Sequence, residues 1–596
     1  MSPTRPHILL SFEKWCDLNP SVGLSSSYEN LAGPLEASGF ANFTVFHPDE
    51  FVYEHGESVD LALINACQTI KPSLLFMLWY PGGYERFNPC LEALYTIRAE
   101  LGVPIVIFWA DSQEDHFFRL SKVLLPFIDY TVDGLSCRPE MTHPDKHLQL
   151  CHPKDPRVYF RGRGERDIEV LFPGSTNNRP KRNQIIDFLV ANGVDVQKIG
   201  GQREQKLSTN DYAAFLRRAK MIINICDYPT RALNGRLLEG TMSGALLFED
   251  SNSDAGRWFQ QGLEYEIYHN KEELLDKIRY YREHVTEAEA IAARGARVSH
   301  EKFDGRLFWR TIIEAVQSAP RFDLREASLA LAICSYNSGA FADAVRRLVE
   351  LRRKYPDYCS ALYWLGKCLL EAGLYEQSER FLSDCIGAHP GEIHAYKLLQ
   401  ELHLKRSTHE AALSIVKKAY SQFASSIVGD KLAVLAQMLV SVNCFQELVV
   451  VEHQASRYKK YSPALYLAMA KALAANGNPS DARTALGLAR KQSEGNKALL
   501  VEISYQYQSL GYLRDAIETS KLYTQPHFNH LWDLYYHLYI KELKGEIREV
   551  VEIIDSYEKL GYIDNYLNLK REKLRLKLAQ FSSTLDTNRI LQELQK

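Results

Sequence analysis

The sequence predicts an α/β part built on two successive parallel sheets, followed by an all-α array of helical repeats. Three observations carry that expectation. Short apolar runs alternate with amphipathic segments up to about residue 320, and strand–helix–strand order at this spacing implies parallel sheets covered on both faces. The series starts again near residue 167. Beyond residue 320 the strand-like runs stop and a 34-residue period takes over.

In chain order, the first sheet is expected from HILLSF (7–12), FTVFH (43–47), SLLFMLW (73–79), PIVIFWAD (104–111) and IDYTVDG (128–134), with amphipathic stretches such as CLEALYTIRAELG between them. The second is expected from DIEVLFPGS (167–175), a helix ending at Gly193, VDVQKIGG (194–201), a helix over 208–219, MIINICD (221–227), a short helix, and ALLFED (245–250). Two series of about 150 residues each predict two Rossmann-like domains, 1–165 and 166–318, divided by the charged, glycine-rich FRGRGERD; residues 319–596 form the repeat domain.

In the repeat domain Gly339 and Gly373 lie 34 apart, as do Ala344 and Ser378, Leu331 and Leu365, and Pro356 and Pro390. The frame runs on through Ser407 with Ala412 and slips near Asn443. It returns at Gly477, Gly511 and Gly545, each followed five residues later by Ala482, Ala516 and Val550. A turn glycine followed by a small residue suits closely packed helical hairpins. The pattern resembles the tetratricopeptide repeat, with ALYWLGKCLLEAGLYEQSERFLSDCIGAHP as its best copy. That resemblance implies a solenoid whose concave face binds a protein or peptide; a structural cap or a dimerisation module is the alternative role.

Composition sets outer limits. A chain of 596 residues holds three or four domains at roughly 150 residues each. A formal charge of -3 argues against nucleic acid as the main partner. Eleven scattered cysteines without a CxxC fit a reducing cytosol better than a disulfide framework. MSPTRPHILLSFEKW lacks a signal-peptide core, and no run approaches the ~18 apolar residues of a membrane span. The expected location is the cytoplasm.

The chemistry concentrates in NGRLLEGTMSGALLFED (234–250). Ligands of open parallel sheets bind at the carboxyl ends of strands, where helix N-termini point. Asn234 and Gly235 start a helix there, and its first-turn amides suit an anion. Arg236 adds a guanidinium fork for a diphosphate. Glu239, one turn on along the same face, can accept hydrogen bonds from the vicinal hydroxyls of a ribose, and Gly244 ends the helix. Diphosphate plus ribose is the handle of a nucleotide-sugar.

Residues 167–316 resemble the nucleotide-binding domain of GT-B glycosyltransferases, the spore-maturation-type group with a family 1-like C-terminal domain. The matching pieces are VLFPGSTNNRPKR, LSTNDYAAFLRRAKMIINI, GRLLEGTMSGALLFED, LEYEIYHNKEELLDKIRYY and IAARGARVSHEKF. The resemblance implies that Arg236 and Glu239 face the donor. It maps the glycine loop onto Gly174 and Ser175, with Arg179 and Arg182 near the phosphates. Many retaining relatives keep a second Glu eight residues before the ribose-binding one; here Arg231 stands there, so inversion is expected.

Inversion needs a base from the other domain. Asp111, at the end of PIVIFWAD, is the candidate, with Asp115 and His116 behind it. An N-cap role for Asp111 and a plain helix-face role for His116 are the alternatives. The loop NPSVGLSSSYEN puts Gly23 and Ser25 on the acceptor side, or serves as an N-cap run. WYPGGY puts Trp79 and Tyr80 where a sugar could stack, or in the core. No DxD pair sits at a strand end, so no metal and no cofactor beyond the nucleotide-sugar substrate is expected. The function expected is metal-independent, inverting transfer to an acceptor, a protein recruited by the repeats. Transfer to a glycan or lipid-linked sugar and a non-catalytic scaffold are the alternatives. Two further expectations follow: Glu239→Ala weakens donor binding without unfolding the chain, and a fragment ending near residue 318 keeps donor binding.

Overall fold

The computed structural model describes the chain apart from residues 1–4, 81, 110–114, 135–144, 178, 201–206, 227–234, 320, 424–429, 445, 449, 452–461, 494–495, 525–530, 560–563, 583–586 and 596. It divides into two units: Met1–Leu324 with Tyr535–Leu543, and Arg325–Leu534 with Lys544–Lys596.

The first unit holds two parallel sheets. One is built from β1 (His7–Ser11), β2 (Asn42–Phe46), β3 (Leu74–Leu78), β4 (Ile105–Trp109), β5 (Tyr130–Asp133) and β6 (His147–Gln149), in the order β2-β1-β3-β4-β5-β6. Every residue of β3 and β4 is buried, which is why these two central strands read as unbroken apolar runs. The other sheet is built from β7 (Ile168–Pro173), β8 (Val196–Ile199), β9 (Ala219–Asn224), β10 (Leu246–Asp250) and β11 (Glu266–Tyr268), in the order β11-β10-β9-β7-β8. The strands expected from sequence all form. β6 and β11 go beyond them; each is a three-residue edge strand, too short to show a period.

The helix Gly305–Gln317 belongs to the stretch ascribed from sequence to the second domain, yet it packs on the first sheet. Phe308, Trp309 and Ile312 join the core of Leu10, Phe76 and Phe108, and Trp309 Nε1 donates to the Leu31 carbonyl at 2.8 Å. Gly305, which opens this helix, has no room for a side chain: a Cβ would lie 2.6 Å from the Lys154 carbonyl oxygen.

The second unit is a series of helical hairpins. The turn glycines Gly339, Gly373, Gly477, Gly511 and Gly545 all take left-handed φ, between 74° and 84°. The residues five places on, Ala344, Ser378, Ala482, Ala516 and Val550, are buried, as is Ala412, five places beyond Ser407. Ser407 holds the same left-handed turn without being glycine, at φ 59°. Asn443 does so too at φ 59°, two residues beyond the position 441 that the period demands; this is the slip seen in the sequence. The two ends of the array meet. Asn337 Nδ2 donates to the Lys544 carbonyl at 2.8 Å, and Ile590 packs into the core formed by Ala332, Ala344 and Leu348. Among the described residues no helix is long and apolar enough to cross a membrane.

Candidate functional site

The helix Gly235–Met242 follows β9 and leads into β10, so its N-terminus stands at the carboxyl edge of the second sheet. Arg236 Nη1 donates to the Pro173 carbonyl at the end of β7, at 3.1 Å. Gly174 comes next, and a Cβ there would sit 2.1 Å from Arg236 Nη1. A side chain at 174 would have to push the arginine's tip aside. Arg182 is buried, and its Nη1 donates to the Ser175 carbonyl at 2.9 Å, bracing the loop from within. Arg179 is exposed at the N-cap of the helix Pro180–Ala191. The structure thus brings Gly174, Ser175, Arg182 and Arg236 to one place. Asn234 lies outside the described residues.

Glu239 is the centre of a buried polar cluster. Lys154 Nζ donates to its Oε1 at 2.6 Å, with the two side chains 4% and 13% exposed, and Tyr212 donates its hydroxyl to Oε2 at 2.9 Å. Burial works to raise the Glu239 carboxyl, but Lys154, Tyr212 and Arg236 outweigh it and hold the group below its ordinary value. Burial and the Glu239 charge push the Tyr212 phenol well up, so it stays a donor. Burial, aided by the Lys154 charge, brings His152 down to about 3, which keeps the imidazole neutral. Gly235 completes the arrangement: its Cβ position lies 3.4 Å from Lys154 Nζ and 3.6 Å from Glu239 Oε1. An ionised carboxylate offers about four lone-pair directions, so two donors leave capacity for a vicinal diol.

Lys154 and Tyr212 were not foreseen from sequence. Tyr212 stands on the helix Thr209–Arg218 as an ordinary interior position. Lys154 sits in CHPKDP, between two prolines and outside any helix or strand, where no period gives it an address. The acids that end β10 serve the sheet edge. Asn224 Nδ2 donates to both oxygens of Glu249 at 2.9 Å, and Lys181 Nζ donates to Asp250 Oδ2 at 2.7 Å. Burial pushes the Glu249 carboxyl up to about 7, against the hydrogen bonds of Asn224 and Ser253.

On the first sheet, Asp111 lies outside the described residues. His116 is in the helix Asp115–Leu124, with its side chain also outside them. Gly23 turns the loop after β1 at φ 92°, and its carbonyl accepts from the Cys16 amide at 2.8 Å. Ser25 donates to Glu13 Oε1 at 2.7 Å. Trp79 and Tyr80 are 4% and 6% exposed, so neither ring offers an open face for a sugar, and core packing accounts for both. The Tyr80 hydroxyl instead donates to Glu13 Oε2 at 3.1 Å. Glu13 is a third residue missed in the sequence, hidden because it directly follows a strand-like run.

Residues 181–314 match the family model described as glycosyl transferase-like, and residues 335–402 match the tetratricopeptide repeat model. The chain joins a glycosyl transferase-like domain to tetratricopeptide repeats, as the two resemblances implied. No curated protein matches the chain. Among solved structures, HepE of Anabaena with bound UDP-glucose is 11% identical over 52% of this chain and 100% of that one, at a TM-score of 0.37. A glycosyltransferase of Rickettsia africae is 9% identical over 52% of this chain and 98% of that one, at 0.38. A tetratricopeptide repeat protein of Parabacteroides merdae is 14% identical over 42% of this chain and 98% of that one, at 0.26. None of these likenesses is close enough to bear on a ligand.

Proposed function

We propose that the chain is a glycosyltransferase that moves a sugar from a nucleotide-sugar to an acceptor hydroxyl. One observation carries this: Arg236, backed by the Gly174 loop, and Glu239, charged by Lys154 and Tyr212, stand one helical turn apart at the carboxyl edge of a parallel sheet. The guanidinium and the first-turn amides suit a diphosphate leaving group, and the carboxylate suits a ribose diol. The match of residues 181–314 to the glycosyl transferase-like model supports the same activity.

The finer proposal is metal-independent, inverting transfer to a protein held by the repeats. Charge on the departing diphosphate is met by Arg236 and the helix amides, and Arg231 replaces the second Glu of retaining relatives. A panel of UDP-, GDP-, ADP-, dTDP- and CMP-sugars, scored by thermal shift and by release of the nucleotide, tests the proposal. A donor with Kd near 10 μM, present at about 1 mM, is expected to stabilise the protein by roughly 2.7 kcal/mol. A flat response across the panel overturns it.

A further inference from the structure

We propose that Glu13 is the group on the first sheet that takes the acceptor's proton; this rests on the glycosyltransferase reading and names the base within it. Glu13 lies two residues past Ser11, the last residue of β1, at the edge of the sheet where ligands of open parallel folds bind. Its Oε1 accepts from Ser25 Oγ at 2.7 Å and from the Ser27 hydroxyl, and its Oε2 accepts from Tyr80 at 3.1 Å. The residue is partly exposed. Three hydroxyl donors fix the carboxylate's orientation at the end of β1.

The same serine loop leads to the donor helix. Asn30 Nδ2 donates to Ser26 Oγ at 3.2 Å. Lys154 Nζ lies 3.5 Å from Asn30 Oδ1 and donates to Glu239 Oε1 at 2.6 Å. Glu13 is thus joined to the ribose-side carboxylate through one loop and one lysine. Its titratable neighbours are otherwise engaged. Asp49 is buried and accepts from the Lys14 and Trp15 amides, and Glu50 pairs with the Lys14 ammonium. Burial pushes the Glu13 carboxyl above its ordinary value, against the bonds from Ser27, Ser25 and Tyr80, which makes it a better proton acceptor near neutral pH.

In the step, the acceptor oxygen attacks the anomeric carbon and its proton passes to Glu13. The bond from the anomeric carbon to the diphosphate oxygen breaks, and its electron pair leaves with the nucleotide diphosphate. The alternative is that Glu13 only pins the serine loop.

The test uses the full chain, the donor with the largest thermal shift in the panel, and nucleotide release with water and with a mixture of simple hydroxyl acceptors. Glu13→Gln is expected to keep the melting temperature and the donor-induced shift while turnover falls about 10²–10⁴-fold. Tyr80→Phe removes one donor to the carboxylate and is expected to move the acidic limb of the pH–rate profile to higher pH. A Glu13→Gln protein that turns over at the parent rate, or an acidic limb unmoved by Tyr80→Phe, overturns the proposal and leaves the glycosyltransferase reading standing. A parent that binds a donor and turns none of it over overturns both. A parent that binds no donor overturns both.

Discussion

At the residue scale the pair of Lys154 and Glu239 changes what a substitution measures. Glu239→Ala would strand an ammonium whose side chain is 4% exposed. Breaking a buried ion pair from one side costs about 3–5 kcal/mol. The sequence alone predicts a folded variant with a weak donor site; the structure predicts a destabilised one. Glu239→Leu combined with Lys154→Met is expected to recover most of that loss without recovering donor binding, read by urea midpoints and by donor-induced thermal shift. A second outcome follows from Glu249. Its folded-state carboxyl is raised to about 7 by burial, so the folded state holds a proton that the unfolded state releases near its ordinary value. That stability is complete below the unfolded value and is lost as pH rises through about 7. The loss is about 3 kcal/mol at 1.36 kcal/mol per unit. Glu249→Gln is expected to flatten the dependence of stability on pH between about 5 and 8 and to raise the melting temperature at pH ~8 above the parent's. An unchanged slope would remove Glu249 as its source.

At the scale of elements, the repeat turns need a left-handed residue, and glycine meets that need at five of the turns described. Ser407 and Asn443 hold the same conformation at φ 59° with a Cβ in place. A non-glycine residue in this region is strained by about 1 kcal/mol or more, less for Asn, while glycine returns part of the gain through its freer unfolded chain. Ser407→Gly is expected to stabilise the repeat unit by roughly 0.5–1 kcal/mol, and Ser407→Val to destabilise it. Chemical denaturation of the full chain checks both, and a Val variant as stable as the parent would refute the strain. Gly174 obeys a different rule, since the Arg236 guanidinium occupies the space of its missing side chain.

At the scale of the whole molecule, the first unit takes in Tyr535–Leu543 as well as residues 1–324. Asn88 Nδ2 donates to the Tyr539 hydroxyl at 3.0 Å, and a Cβ on Gly82 would lie 2.6 Å from the Tyr535 carbonyl. A fragment ending near residue 324 therefore lacks part of its own unit. It is expected to bind donor as the full chain does, because the Arg236 and Glu239 cluster is complete within it, but to melt at a lower temperature. Gly82→Val is expected to lower the melting temperature of the full chain and to leave the fragment unmoved. Equal effects in both would show that Tyr535–Leu543 is not what Gly82 meets.

Whatever repeats locally was legible in the chain of residues. Two runs of parallel strands, the 34-residue hairpins and the Arg236 to Glu239 helix all follow from period, turn residues and spacing, and each is written within a few consecutive turns of chain. The partners brought from far along the chain came only with the packed fold. Lys154 reaches Glu239 across 85 positions, Tyr80 reaches Glu13 across 67, and the helix Gly305–Gln317 returns to the first sheet. Edge strands of three residues escape detection for want of a period. Buried charges escape it for a different reason: a lysine or glutamate has the same propensity whether it faces water or a counter-charge, and only the packed fold chooses between them.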